Sequence, residues 1–243
     1  MLGCPVDIVD MATAVQTLVE MVDRRREDSA SHPAVVITLN PEMVMMARRS
    51  AAFSSVLESA ALVVPDGIGV VRALRRRGHP EVVRVGGADL LAAYLPDAER
   101  HAHRIALVGG APGVAGAARD RMLEAHPDLQ VVAVSDGPPG KATALELETA
   151  QPEVVLAAFG AGRQELFLDR YLGPIGAASG IGVGGSLDFL AGRVRRAPAA
   201  VRRIGLEWAW RLAVQPWRLR RQSVLPMFWW LERREAAAVR AGR

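Results

Sequence analysis

Short apolar or β-branched runs recur through most of the chain, at residues 34–39, 61–64, 104–108, 130–134, 153–159 and 179–183. Between most of them lie stretches whose apolar positions repeat with helical spacing, at 67–77, 88–95, 113–125 and 142–150, and a further helix is expected at 11–25. This alternation predicts an α/β fold: a doubly wound, mostly parallel, Rossmann-like sheet with helices on both faces. No internal repeat is visible, and no low-complexity linker separates two domains.

Ligands of such sheets bind beyond the carboxyl ends of the strands, so the residues that follow each run carry the first functional information. Asn40 follows the first, in Thr38-Leu39-Asn40-Pro41-Glu42, and Asp66 the second, in Val64-Pro65-Asp66-Gly67-Ile68-Gly69. Gly109-Gly110-Ala111-Pro112-Gly113 follows the third, Gly160-Ala161-Gly162-Arg163-Gln164-Glu165 the fifth, and Gly184-Gly185-Ser186-Leu187-Asp188 the sixth. Each has a plain structural reading beside a functional one. Asp66 suits a turn or a helix N-cap, which is the commoner use of Pro-Asp-Gly, and equally a general base at a strand end. Gly109 and Gly110 make either a tight turn or a phosphate cradle at a helix N-terminus, although neither a G-x-G-x-x-G fingerprint nor a Walker element is present. Gly184 and Gly185 fit a bend or close backbone approach to a ligand, and Asp188 an early-helix acid or a ribose acceptor.

Composition adds limits. Among 243 residues, 50% are hydrophobic and 23% charged, ordinary for a globular protein able to bury one substantial core. The single cysteine, Cys4, excludes an internal disulfide and a Cys-rich zinc site, which fits a reducing compartment. No secretory leader is read at the start, and 171–187, the longest charge-free stretch, is too rich in Gly to span a bilayer. No Asp-x-Asp triplet occurs and the five histidines lack ligand spacing, so neither a metal-bridged diphosphate nor another cofactor is expected.

Charge is distributed unevenly. Residues 192–243 hold 13 Arg, no Lys and three acids, a net of +10, so the part before them carries −6. All five tryptophans lie in the same final stretch. The expected division is therefore a catalytic α/β unit over 1–192 and a helical, basic, Trp-rich appendage over 193–243. Trp and Arg together suit the headgroup zone of an anionic membrane. Nucleic acid needs the same charges, but the acidic body offers no basic groove and no recognisable binding motif, so no nucleic-acid partner is expected.

Taken together, these segments resemble the WecG/TagA/CpsF family of glycosyltransferases from about residue 10 to 228. The residues that carry the likeness are Thr38-x-Asn40-Pro41-Glu42, Pro65-Asp66-Gly67-Ile68-Gly69-Val70, Arg84-x-x-Gly87-x-Asp89-Leu90 and Gly109-Gly110-x-Pro112-Gly113-Val114-Ala115. Gln164-Glu165, Val183-Gly184-Gly185-Ser186-x-Asp188-Phe189-x-Ala191-Gly192, Arg196-Ala197-Pro198, Gly205-Leu206-Glu207-Trp208-x-x-Arg211 and Pro216-x-Arg218 complete it. The resemblance implies inverting, metal-independent transfer from a UDP-sugar to an undecaprenyl-diphosphate-linked acceptor in cell-surface polysaccharide or teichoic acid synthesis. An N-acetylmannosamine-type donor is expected first and a glucose-type donor second. It implies Asp66 as general base with Thr38 and Asn40 positioning substrate. Arg84, Gln164, Gly184, Gly185 and Asp188 become donor-pocket positions, joined by Gly109 and Gly110, and Arg211, Arg218 and Arg221 close over the diphosphate. A cytoplasmic protein, peripheral on the inner face of the membrane and self-associating, is implied too.

Two departures from the family pattern stand out. Gly162-Arg163 replaces the usual Pro-Lys before Gln164-Glu165, which suggests a freer loop, and Gly137-Pro138-Pro139 replaces a Gly-Tyr-Phe that offers a stacking ring. The competing readings are a non-catalytic binder of anionic membranes or nucleic acid, and a nicotinamide oxidoreductase, the latter disfavoured by the missing dinucleotide fingerprint.

Overall fold

Helices start where the sequence supplies caps. Asp10 accepts the Thr13 N–H at 2.8 Å and opens α1 (Met11–Glu27). After β1 (Ala34–Leu39), Asn40 accepts from the Glu42 and Met43 N–H groups and opens α2 (Pro41–Ala47), with Pro41 presetting the first helical φ. Ser50 caps α3 (Ala51–Ser59) in the same way. The chain continues through β2 (Leu62–Pro65), α4 (Ile68–Arg76), α5 (Gly87–Arg100), β3 (Ile105–Gly109), α6 (Val114–Ala125), β4 (Val131–Ser135) and α7 (Lys141–Ala150). It then forms β5 (Val154–Ala158), α8 (Arg163–Ile175), β6 (Ser179–Gly182) and α9 (Ser186–Leu190), followed by α10 (Glu207–Val214), α11 (Leu219–Gln222) and α12 (Leu225–Ala241). This computed structural model describes residues 1–198, 200–201, 205–216 and 219–241.

The six strands form one sheet, ordered β2-β1-β6-β5-β3-β4 and parallel throughout, as the alternation predicts. Every strand end after which functional residues were expected lies on the same edge. Side chains of successive strand residues enter opposite cores, because the pleat repeats every two residues. Val35, Ile37 and Leu39 pack with α2, α3, α4 and α8 on one face, while Val36 packs with α1, α5 and α6 on the other. Ala106 and Val108 of β3 likewise face one way, and Ile105 and Leu107 the other. Among the described residues no helix is long and apolar enough to cross a membrane.

The C-terminal helix joins the first of these cores. Phe228 of α12 is fully buried against α4, where Gly69 permits contact: a Cβ there would lie 2.7 Å from Pro41 Cγ and 3.3 Å from Phe228 Cε1. Glu232, also fully buried, accepts from Arg76 and from Arg77, the latter at 3.2 Å. Glu235 pairs with Arg77 and accepts the Leu2 N–H at 2.9 Å, so α12 is fastened at three points. A buried carboxylate with two guanidinium partners is costly to break from one side, since the remaining cations stay desolvated. Glu232→Gln is expected to cost about 2 kcal/mol, less than a fully buried pair because Arg76 is a third exposed. Thermal denaturation should register this as a Tm lowered by roughly 4–8 °C.

Candidate active site

The ladder between β1 and β2 runs one residue past the end of β2. The Asp66 N–H donates to Leu39 O at 2.9 Å, and the Val85 N–H donates to Pro65 O at 3.0 Å. Gly67 then turns with φ +85°, a region an L side chain enters only with strain. Gly67 itself is the N-cap of α4, and no side chain caps that helix. The capping role that Pro-Asp-Gly suggested for Asp66 is therefore not the one it plays. Its Oδ1 instead receives Arg84, whose Nε and Nη2 both lie 3.1 Å away.

Gly86 makes room for that guanidinium. A Cβ at this position would stand 2.4 Å from Arg84 Nη2 and 3.0 Å from Asp89 Oδ2. The C-terminal segment closes the group from the other side. Glu207, the first residue of α10, places Oε2 3.1 Å from Arg84 Nη2, and Oε1 3.4 Å from Arg211 Nη2 and 3.8 Å from Arg196 Nε. Arg196 Nη2 reaches Asp89 Oδ1 at 2.7 Å, while Arg84 Nη1 lies 3.6 Å from Asp89 Oδ2. Three carboxylates and three guanidiniums thus interlock over the end of β2. The Arg211 guanidinium also lies 4.5 Å from the centre of the Phe189 ring, which ties α10 to α9.

This environment sets the proton affinities. Burial raises the pKa of Asp66; Arg84 and Arg211 oppose the rise, Glu207 adds to it, and the net direction is upward. For Arg84, burial works against the charge, but Asp66, Glu207 and Asp89 outweigh it and hold the guanidinium more firmly protonated. The result is a carboxylate more basic than an ordinary aspartate, beside cations that keep their charge.

Neighbouring strand ends carry the other expected residues. Thr38, at the end of β1, is buried beneath α5, where a Cβ on Gly87 would come within 3.1 Å of its Oγ1. Asn40 follows it, with Oδ1 occupied by the cap of α2. Gln164, 4% exposed, donates from Nε2 to Glu165 Oε1 at 2.7 Å, and its Oε1 is buried without a partner among the described residues. That oxygen lies 3.5 Å from where a Cβ on Gly184 would be, at the turn through Gly185 that opens α9. The Asp188 carbonyl accepts from the N–H groups of Arg193 and Val194 and turns the chain toward the appendage. Arg221 donates to Glu42 Oε2 at 3.0 Å and so sits over α2, apart from the Arg211 cluster. Arg218 lies outside the described residues.

Gly109 and Gly110 are four strands away from Asp66, roughly 19 Å at about 4.8 Å per strand, so they meet a different part of any ligand. The anion position at the start of α6 is filled by the chain itself: Asp136 Oδ2 accepts the Gly113 N–H at 2.7 Å. The Gly162 loop is less free than the missing proline suggested. Gly162 has φ +88°, which proline cannot adopt, and donates its N–H to Glu165 Oε2 at 2.6 Å.

Asp89, Arg196 and Glu207 carried the family likeness without a role, and the structure supplies one for each. Glu207 had a readable signal, being one of three acids in a strongly basic stretch. Gly86 and Asp136 had none, since their importance depends on contacts distant in sequence or on side-chain reach. On the opposite edge of the sheet, Asp23, His101 and His103 bring potential metal-ligating atoms within 4.8 Å of one another. There Arg26 already supplies a cation, donating to the carbonyls of His101 and Ala102. Burial, then Arg26, depress His103 to a pKa of about 4.

Gly86→Ala would push aside the Arg84 guanidinium and the Asp89 carboxylate, the nearest atoms to its Cβ and both flexible side-chain tips. Any activity that depends on the placement of Arg84 should fall about a hundredfold, the scale of a misplaced group at a reacting centre, with thermal stability little changed.

Comparison with known proteins gives the family. The sequence profile described as "Glycosyl transferase WecG/TagA/CpsF family" matches residues 1–241. A protein of Bacillus spizizenii (strain ATCC 23059 / NRRL B-14472 / W23), named N-acetylglucosaminyldiphosphoundecaprenol N-acetyl-beta-D-mannosaminyltransferase, is 33% identical over 197 residues, 80% of this chain and 77% of its own length. Its namesake in Bacillus subtilis (strain 168) is 34% identical over 197 residues, with the same coverage. A family match over nearly the whole chain, joined to an aspartate and three arginines gathered at one strand edge, makes this protein a glycosyltransferase of the WecG/TagA/CpsF family.

Proposed function

We propose that this enzyme transfers an N-acetylmannosamine-type sugar from UDP to an N-acetylglucosamine carried on undecaprenyl diphosphate. The relatives' names describe that acceptor and that sugar, and the site offers the chemistry. The observation that carries the reading is Asp66, raised in basicity at a strand tip and bordered by Arg84, Arg196 and Arg211. Asp66 takes the proton from the acceptor hydroxyl as its oxygen attacks the anomeric carbon from the face opposite the leaving group. The bond from that carbon to the UDP oxygen breaks, the configuration inverts, and the guanidiniums take up the charge that develops on the diphosphate. Thr38 and Asn40 orient the substrate, and Gln164, Gly184, Gly185 and Asp188 hold the donor.

In this reading residues 1–192 supply the catalytic unit and 193–243 an appendage that docks on it and meets the membrane. Trp208 and Trp230 are 44% and 52% exposed, and Leu206, Val214, Leu219 and Met227 join them on the surface. Rings and aliphatic groups beside arginines match the headgroup region of an anionic leaflet, here the inner face of the cell membrane. Self-association of this chain is part of the same reading.

A panel of UDP-sugars tested for protection against thermal unfolding identifies the donor, since a ligand of the native state raises Tm; UDP-N-acetylmannosamine should protect most. Asp66→Asn should keep that protection and lose transfer by at least about a hundredfold. The wild-type kcat/KM should fall on the acid side at a pH above the ordinary aspartate range, because protonation at a raised pKa removes the base. Survival of transfer in Asp66→Asn would favour a different base. For the membrane, Trp208→Ala with Trp230→Ala should weaken sedimentation with phosphatidylglycerol vesicles severalfold, and added salt should weaken it further. Point substitutions suit this test better than truncation, which would strip Phe228 and Glu232 from the core.

A further inference from the structure

Glu207 is 12% exposed, opens a helix with no buried residue of its own, and faces inward onto three arginines. Its geometry toward Arg84 is specific. Arg84 Nη2 stands 3.1 Å from Asp66 Oδ1 and 3.1 Å from Glu207 Oε2, so one nitrogen is divided evenly between the two carboxylates. Asp89, at 3.6 Å from Nη1, is the more distant partner. Glu207 reaches this position only because the C-terminal segment is docked: Gly205, at φ +76°, packs so tightly on α4 that a Cβ would lie 2.9 Å from Ile68 Cγ1.

Resting on the reading of Asp66 as base, we propose that Glu207 is a positioning residue that shares Arg84 with Asp66 and so keeps that aspartate a competent proton acceptor. With Glu207 absent, the guanidinium turns its charge wholly to Asp66 and Asp89, and a tightly paired aspartate is a weaker and less accessible proton acceptor. With Glu207 present, the same cation is shared, and Arg196 and Arg211 are gathered beside it for the diphosphate. Among the described residues, the charged groups facing the pair act in opposite directions. Burial and Glu207 raise the proton affinity of Asp66, while Arg84 and Arg211 lower it; Asp89 and Arg196 face Arg84 and Glu207. Glu207 itself stays bonded to arginines and needs no contact with substrate.

The test is the pH dependence of kcat/KM for the full-length enzyme and for Glu207→Gln and Glu207→Asp. In Glu207→Gln the acid limb should move down by roughly one pH unit. The rate at neutral pH should fall about tenfold as the base weakens. Glu207→Asp, which keeps the charge, should restore part of both. A limb that stays in place while the rate falls assigns Glu207 a purely structural role and overturns the proposal. Should Glu207→Gln be too slow to profile, carboxyl 13C NMR titration of Asp66, assigned with Asp66→Asn, reads the same quantity without turnover. An unchanged Asp66 titration there overturns the proposal as well. The two readings fail separately: transfer surviving in Asp66→Asn removes the base, and the proposal with it. Transfer lost in Asp66→Asn, with neither limb nor titration moved by Glu207→Gln, removes only the role of Glu207.

Discussion

Arg84 sits between carboxylates that would otherwise be buried without compensation, and the site depends on that one sharing. Asp66 is half-buried at the end of β2 beneath Arg84 and the C-terminal segment, and burial penalises its charge. A guanidinium can answer this because it is planar, delocalised and carries several donors in a fixed fork. It can bond Asp66 and Glu207 at once and still lie near Asp89. A lysine at the same place would offer a single compact charge and could not bridge the three. The outcome is an aspartate that keeps raised basicity while its surroundings stay rich in cations.

The same constraint explains how the appendage is built. Its three acids all turn inward: Glu207 to Arg84, Glu232 to Arg76 and Arg77, and Glu235 to Arg77 and the Leu2 N–H. They fasten the segment to the body, while Trp208 and Trp230 stay exposed on its outer surface. Docking also requires close approach, which glycines allow, as Gly69 does beneath Phe228. Packing on α4 and α2 thus connects this outer surface to the residues at the end of β2 through a few direct contacts.

Much of this was legible in the pattern of residues. Six apolar runs marked six strands to within a residue or so at their ends, because parallel strands covered by helices on both faces must be apolar and short. Asp66, Asn40 and Gly184 were expected at the carboxyl edge of the sheet, and they lie there. Local sequence misled where two uses share one signature. Pro-Asp-Gly reads as a cap, yet Gly67 takes the cap position and frees the aspartate. Gly162 read as a loosened loop, yet its N–H is bonded to Glu165.

What the chain by itself determined was therefore the fold class, the strand edge on which the candidate residues gather, and the separation of an acidic body from a basic, Trp-rich end, since periodicity and charge are properties of position along a line. Only the tertiary structure decided that Arg84 is divided between Asp66 and Glu207, that Asp136 fills the start of α6, and that Gly86 lies against the Arg84 guanidinium. Those facts depend on distances between residues up to 141 positions apart, across which side chains of a few ångströms must meet, and no local pattern records such a meeting.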